Sequence, residues 1–139
     1  MAIEVYINYD GNCRDAVEFY SQVFQTEKPH IMTFGDVPAN QELPITDTMK
    51  NRIMHTFLIV NESKIMFSDI LPGTPFIPGN NVTLVIKSSN KKDISNWFQG
   101  LKEGGSVLSD LQETFFSKYY GFLTDKFGIS WQFMYDDGE

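Results

Sequence analysis

Tyr120-Gly121-Phe122-Leu123-Thr124-Asp125-Lys126-Phe127-Gly128-Ile129-Ser130-Trp131-Gln132-Phe133 carries more structural information than any other stretch of this chain. Aromatic and apolar residues on both sides of Asp125-Lys126-Phe127-Gly128 predict two strands, 118–124 and 129–135, joined by a turn. Another strand is expected at 106–112, and Gly104-Gly105 ahead of it stops a helix. That helix carries Ile94, Trp97, Phe98 and Leu101 on one face, and Asn90 is its expected N-cap. A strand at 81–87 precedes it. The second half of the chain therefore reads β-α-β-β-β.

The first half repeats the order. Ile3-Glu4-Val5-Tyr6-Ile7-Asn8-Tyr9 is β-rich, Asp10-Gly11-Asn12 is a turn, and Asn12 is placed to cap a helix starting at Cys13. Ala16, Phe19, Tyr20, Val23 and Phe24 share one face of that helix. A short strand is expected around 29–34, then a surface loop over 35–51, rich in Pro, Asn, Asp and Thr. Strands 53–60 and 64–70 form a hairpin at Asn61-Glu62-Ser63. The domain organisation is a single domain over 1–139. Module one spans 1–70, a proline-rich linker 71–80, and module two 81–139. A shift of 78 residues lays Phe19-Tyr20 on Trp97-Phe98 and Ile7 on Val85, a weak internal duplication. The expected class is α+β: two βαβββ modules, each sheet backed by one helix, forming a half-open, barrel-like cup.

Composition narrows the function classes. The chain has 139 residues, 42% of them hydrophobic, with twelve Phe, six Tyr and two Trp, which is enough to bury a core and excludes a disordered chain. A net charge of −7 disfavours nucleic acid or an anionic membrane as partner. Apolar runs are strand-length, far below the ~20 residues of a membrane-spanning helix. One cysteine, Cys13, allows no intrachain disulfide and suits the cytoplasm. No signal peptide is read at the N-terminus.

Several motifs then occur in order: Tyr9-x-Gly-Asn-Cys-Arg-x-Ala-Val-Glu-Phe-Tyr20, Thr33-Phe-Gly-Asp-Val-Pro, Ile53-Met-His-Thr, Met66-Phe-Ser-Asp69, Gly79-Asn-Asn-Val-Thr-Leu, and Gln112-Glu-Thr-Phe-Phe through Trp131. On these the chain resembles the vicinal oxygen chelate superfamily, the glyoxalase/bleomycin-resistance/dioxygenase proteins, and more closely its PhnB-like branch. The resemblance implies paired βαβββ modules and a homodimer. In metal-dependent relatives, inward-facing residues of the first and last strand of each module hold one divalent ion. Carried over, those positions fall near Val5 (with Ile3 and Ile7 on the same face), at Ile65 or Phe67, at Asn81 and at Gln132. Two apolar positions and two amides are a poor donor set for such an ion, so neither metal nor other cofactor is expected.

The remaining candidates keep two readings each. Asp69 is either an acceptor or base in the cup, or the cap of the Leu71-Pro72-Gly73 turn. His55 is either a base or hydrogen-bonding group in the cup, or a buried structural histidine; His30 reads as a surface residue. Asn81 and Gln132 either bond a ligand oxygen, or bond each other or backbone. Phe115, Phe116, Tyr119 and Tyr120 line an apolar pocket or form core and dimer contacts, and Phe67 belongs to the expected ligand-position face. Cys13 has no implied partner that would make it a nucleophile. A methyltransferase of the usual class carries a glycine-rich turn after its first strand, and Asp10-Gly11-Asn12-Cys13 has one glycine, so that activity is not expected.

The expected function is metal-independent binding of a small organic ligand in the cup, by Asn81, Gln132, Phe67, Phe115, Phe116 and Tyr120. The alternatives are a lyase or isomerase acting on a small oxygenated substrate with Asp69 or His55 as base, and a structural relic without ligand.

Overall fold

A computed structural model describes residues 2–36 and 46–137. The chain forms two compact units, Met1–Ile77 and Pro78–Glu139. The first contains β1 (Val5–Tyr9), α1 (Cys13–Phe24), β2 (Met32–Thr33), a 3₁₀ turn at Phe34–Asp36, β3 (Ile53–Val60) and β4 (Ser63–Asp69). The second contains β5 (Thr83–Ser88), α2 (Lys91–Leu101), β6 (Ser106–Gln112), β7 (Tyr120–Thr124) and β8 (Ser130–Tyr135).

Both sheets have the same topology. The strand orders are β1-β4-β3-β2 and β5-β8-β7-β6, with the first strand parallel to the last and the other pairs antiparallel. The duplication read from element order is thus a duplication of sheet topology. Its register is different from the simple shift of 78. Both helices start 78 residues apart, at Cys13 and Lys91. In the strands, however, Ile7 pairs with the buried Phe67, and Ile86 pairs with the buried Phe133. Ile7 therefore matches Ile86, while Val85 pairs with Gln132 and is 46% exposed. The extra residue lies in the turn Asp10-Gly11-Asn12, which is longer than Ser89-Asn90.

Each helix covers one face of its own sheet. In the first unit α1 buries Cys13, Ala16, Val17, Tyr20 and Phe24. Phe67 of β4 lies beneath Tyr20 and beside Tyr9, with ring centroids 5.8 and 6.4 Å away, and the Tyr9 hydroxyl donates to Tyr20 at 3.3 Å. In the second unit α2 buries Ile94, Phe98 and Leu101, and Phe98 meets Phe133 edge-on at 5.8 Å. The opposite face of each sheet carries no helix of its own unit. Because side chains alternate, β1 shows it Tyr6 and Asn8, and β4 shows it Met66 and Ser68.

The helix starts differ in a way that pattern reading misses. Asn90 caps α2 as expected, its Oδ1 accepting from the backbone N–H of Lys92 and Asp93. Asn12 makes no side-chain cap bond. The cap of α1 comes from β4. Asp69 Oδ1 accepts from Gly11 N at 2.8 Å and Cys13 N at 3.0 Å, and Oδ2 accepts from Ile53 N at 2.9 Å. One carboxylate thus ties a turn, a helix start and a strand start. Gly11 adopts φ 95°, a left-handed conformation that lets this turn close.

Most element boundaries agree with the pattern reading. β3 and β6 do so residue for residue, and β1, β4, β5, β7 and β8 begin or end within two residues. The strand expected around 29–34 shortens to Met32–Thr33, because Phe34–Asp36 turns away as a 3₁₀ helix. Of the loop expected over 35–51, residues 37–45 lie outside the described residues.

Three amide donors depend on Asp69, which is 4% exposed. Asp69→Ala leaves them unpaired and is expected to cost about 3–6 kcal/mol at roughly 1–2 kcal/mol per donor, with Asp69→Asn losing less because it keeps one acceptor oxygen. Urea unfolding of the two variants checks this. A loss below ~1 kcal/mol in Asp69→Ala would contradict the assignment.

Candidate functional site

The helix-free face of the second sheet presents a connected polar line across three strands. Tyr120 on β7 donates its hydroxyl to Gln132 Oε1 at 2.7 Å. Gln132 on β8 donates Nε2 to Thr83 Oγ1 on β5 at 2.8 Å. Gln132 is thus held at both ends, which fixes its amide orientation. One N–H of Gln132, the Thr83 hydroxyl proton and the lone pairs of Tyr120 remain for an incoming molecule. Burial pushes the Tyr120 phenol above its ordinary pKa, which favours the protonated donor form.

Apolar groups flank this line. Phe116 packs edge-on against Tyr120 at 4.9 Å and is 54% exposed. Val85 and Phe122 lie in register with Gln132, and Met134 with Tyr120. A depression of about 410 Å³ beside them is lined by Lys87, Phe116, Ser117, Lys118, Met134 and Tyr135, together with Asp136 and Asp137. Tyr120, Gln132 and Thr83 are not among its lining residues, so the polar line lies beside it on the sheet.

The helix-free face of the first sheet carries a second polar group. The Tyr6 hydroxyl and His55 Nδ1 share a hydrogen bond of 3.2 Å, and Ser68 Oγ donates to Asn8 Oδ1 at 3.0 Å. His55 is therefore half-buried on the open face.

Several expected placements are corrected. Phe67 is fully buried under α1 and cannot line the open face; Val5, Ile7 and Ile65 share its helix-covered side. The cause is strand parity, since a shift of one residue moves a side chain to the other face. The open-face residues at that level are Tyr6 and Met66. Asp69 shares the covered side and is saturated by backbone donors, so it neither faces the open side as a base nor caps the Leu71-Pro72-Gly73 turn. Asn81 is exposed, two residues before β5, and does not bond Gln132; Thr83 does. Phe115 is fully exposed and touches Phe116 edge-on at 5.2 Å, but forms no wall. Gln132, Tyr120 and Phe116 are brought together. Tyr119 instead bonds Ser95 of α2 through its hydroxyl.

A divalent ion does not fit these donor sets. The first unit offers a phenol and a thioether at the relevant level. The second offers an amide already bonded at both ends and a hydroxyl. None supplies a carboxylate. Among the described residues no three His, Cys, Asp or Glu side chains gather as a metal site.

With this geometry in view, comparison with known proteins is informative. A family model described as 3-demethylubiquinone-9 3-methyltransferase matches residues 1–134. The chain belongs to that family. It is 30% identical to Protein YjdN of Escherichia coli over 141 residues, covering 94% of this chain and 92% of YjdN. Protein PA1353 from Pseudomonas aeruginosa superposes with TM-score 0.84 at 31% identity, over 98% of both chains. A putative 3-demethylubiquinone-9 3-methyltransferase, PhnB protein, from Bacillus cereus gives TM-score 0.69 at 22% identity, over 98% of this chain and 100% of that one. A glyoxalase/bleomycin resistance protein/dioxygenase family enzyme from Burkholderia phytofirmans gives 0.62 at 16% identity, over 96% and 98%. The fold is therefore the α+β glyoxalase/bleomycin-resistance fold. No helix among the described residues is long and apolar enough to cross a membrane.

Thr83, Tyr6, Asn8 and Ser68 stand on the helix-free faces and are not among the candidates expected from the sequence. Strict alternation from Gln132 and its paired strand was the signal that finds Thr83.

Cys13 is excluded from chemistry at neutral pH. It is fully buried, and burial, then the Asp69 charge, push its thiol far above the ordinary range while Arg14 pulls slightly the other way. The folded state keeps this proton where the unfolded chain loses it, above about pH 8.5. This contribution to stability is therefore complete below that pH and declines as pH rises. Native protein is expected to be silent to an aromatic disulfide reagent and to react stoichiometrically once unfolded in urea. Rapid reaction of the native thiol would overturn this.

Proposed function

We propose that the protein binds a small organic molecule bearing hydrogen-bonding oxygen on the helix-free face of its second unit, without a metal anchor. The observation that carries the reading is Gln132 bridged between Tyr120 and Thr83, beside the half-exposed Phe116. Oriented polar groups next to apolar walls are the usual plan of such sites. Gln132 acts chiefly as a positioning residue, and Tyr120 and Thr83 meet the ligand. The family's description names a methyl transfer. Our reading departs from it because the amide groups of Gly11 and Cys13, after the first strand, are taken by Asp69. A turn so occupied offers no N–H cradle to a nucleotide-like cofactor. The cytoplasm suits a chain with one reduced, buried thiol.

The test starts with thermal-shift screening of organic acids, aldehydes and aromatic antibiotics. For the best hit, Tyr120→Phe and Gln132→Ala should each weaken binding about 5- to 10-fold, from ~1 kcal/mol per lost hydrogen bond, with unfolding midpoints little changed. Equal affinity in both variants would reject the site.

We also propose a homodimer. Leu108 is 61% exposed on β6, an edge strand, and Phe115 stands free in solvent. Exposed apolar edges are commonly covered by pairing. Light scattering at micromolar concentration should give twice the 15.9 kDa of one chain. The mass of a single chain would contradict it.

A further inference from the structure

We propose that the helix-free face of the first unit binds a small organic carboxylate with an aromatic or aliphatic body, its oxygens held by His55 Nε2 and Asn8 Nδ2 and attracted by Lys64. This goes beyond the proposed function, since it uses a different unit and different residues.

The donors are set up by their neighbours. Tyr6 engages His55 Nδ1 at 3.2 Å. When the phenol donates, the neutral ring carries its proton on Nε2, which has no partner among the described residues and becomes a free donor. Ser68 donates to Asn8 Oδ1 at 3.0 Å, so the amide is held with its NH₂ group unpartnered on an exposed residue. These are two N–H donors without a matching acceptor on one sheet face. A carboxylate supplies acceptors and nothing else.

Charge and shape agree with that class of ligand. Lys64 shares the face, its Nζ 4.6 Å from the Phe57 ring centroid, and it is in no ion pair among the described residues. In a chain of net charge −7 a local cation matters for drawing in an anion. The apolar part has Tyr6, Met66 and Phe57, which lie level across β1, β4 and β3. Phe57 and Ile59 are 39% and 52% exposed on this face.

Benzoate is the probe, titrated into the full chain while side-chain ¹⁵N–¹H NMR signals of His55 and Asn8 are followed. Saturable shifts of both are expected, with benzylamine producing none. His55→Gln and Asn8→Ala should each weaken binding about fivefold or more, from ~1 kcal/mol per hydrogen bond. Lys64→Gln, an exposed change that leaves the fold intact, should weaken it about threefold and flatten its salt dependence. Binding is read at the His55 and Asn8 signals and not at the Gln132 side-chain amide, so failure here is separable from failure of the site on the second unit. Shifts that never saturate, equal binding of benzylamine, or unchanged affinity and salt dependence in Lys64→Gln would each overturn the proposal, and Lys64→Gln decides it alone if the other variants do not fold.

Discussion

Three backbone N–H groups converging on the Asp69 carboxylate hold the first unit together. The residue ends β4, the strand that runs between β1 and β3. From there it fixes the β1–α1 turn, the first turn of α1 and the entry to β3. Arg52 reinforces the same corner, donating Nη1 to Asp10 Oδ1 at 3.0 Å and to the Ile70 carbonyl at 2.9 Å. Burying a carboxylate is costly unless its lone pairs are met. Here both oxygens are met by groups whose own burial would otherwise be costly. The same logic recurs locally in the second unit. Asp125 Oδ1 accepts from Phe127 N and Ile129 N and Oδ2 from Trp131 Nε1, closing the β7–β8 turn and anchoring the buried indole.

These two aspartates show where a sequence is legible and where it is not. Asp125 sits in a turn it helps to make, so Asp-Lys-Phe-Gly announces itself locally. Asp69 acts on residues 16 to 58 positions away, and no pattern around it reveals them. Asn12 and Asn90 make the same point. Both have the composition of a helix cap, and only Asn90 performs it, because a tertiary carboxylate has taken the place at α1. Strand boundaries and the repeated element order were readable from β-rich runs and turn residues. Which face each residue takes was not, since one added residue in the Asp10-Gly11-Asn12 turn offsets the strand register from the helix register. That single offset bears on why Phe67 was expected on the open side; Asn81 has the parity of Thr83 but lies before β5 begins.

The duplicated topology permits a residue-level comparison between units. The pairs Ile7–Phe67 and Ile86–Phe133 align β4 with β8, so Met66 occupies the position of Gln132. Tyr6 likewise occupies that of Val85. The helix-covered sides conserve a plan, an aromatic of the helix on a Phe of the last strand: Tyr20 on Phe67 and Phe98 on Phe133. The open sides do not. One pairs phenol with imidazole, the other phenol with amide and hydroxyl. Packing against a helix constrains volume and shape closely, whereas an open face is free to diverge in chemistry.

This divergence bears on what the fold can do here. Chemistry built on a divalent ion needs ligands that offset its charge, and these open faces present hydroxyl, amide and imidazole groups that are oriented by one another. Such groups are suited to recognising a molecule by hydrogen bonds. Fixing them before binding lowers the ordering cost of association. The Gln132 amide, clamped by Tyr120 and Thr83, has a defined donor direction. The same holds for His55, whose ring is set by Tyr6, and Asn8, whose amide is set by Ser68. In each unit a hydroxyl on one strand orients a nitrogen-bearing side chain on another. The register of each sheet therefore sets these side-chain orientations.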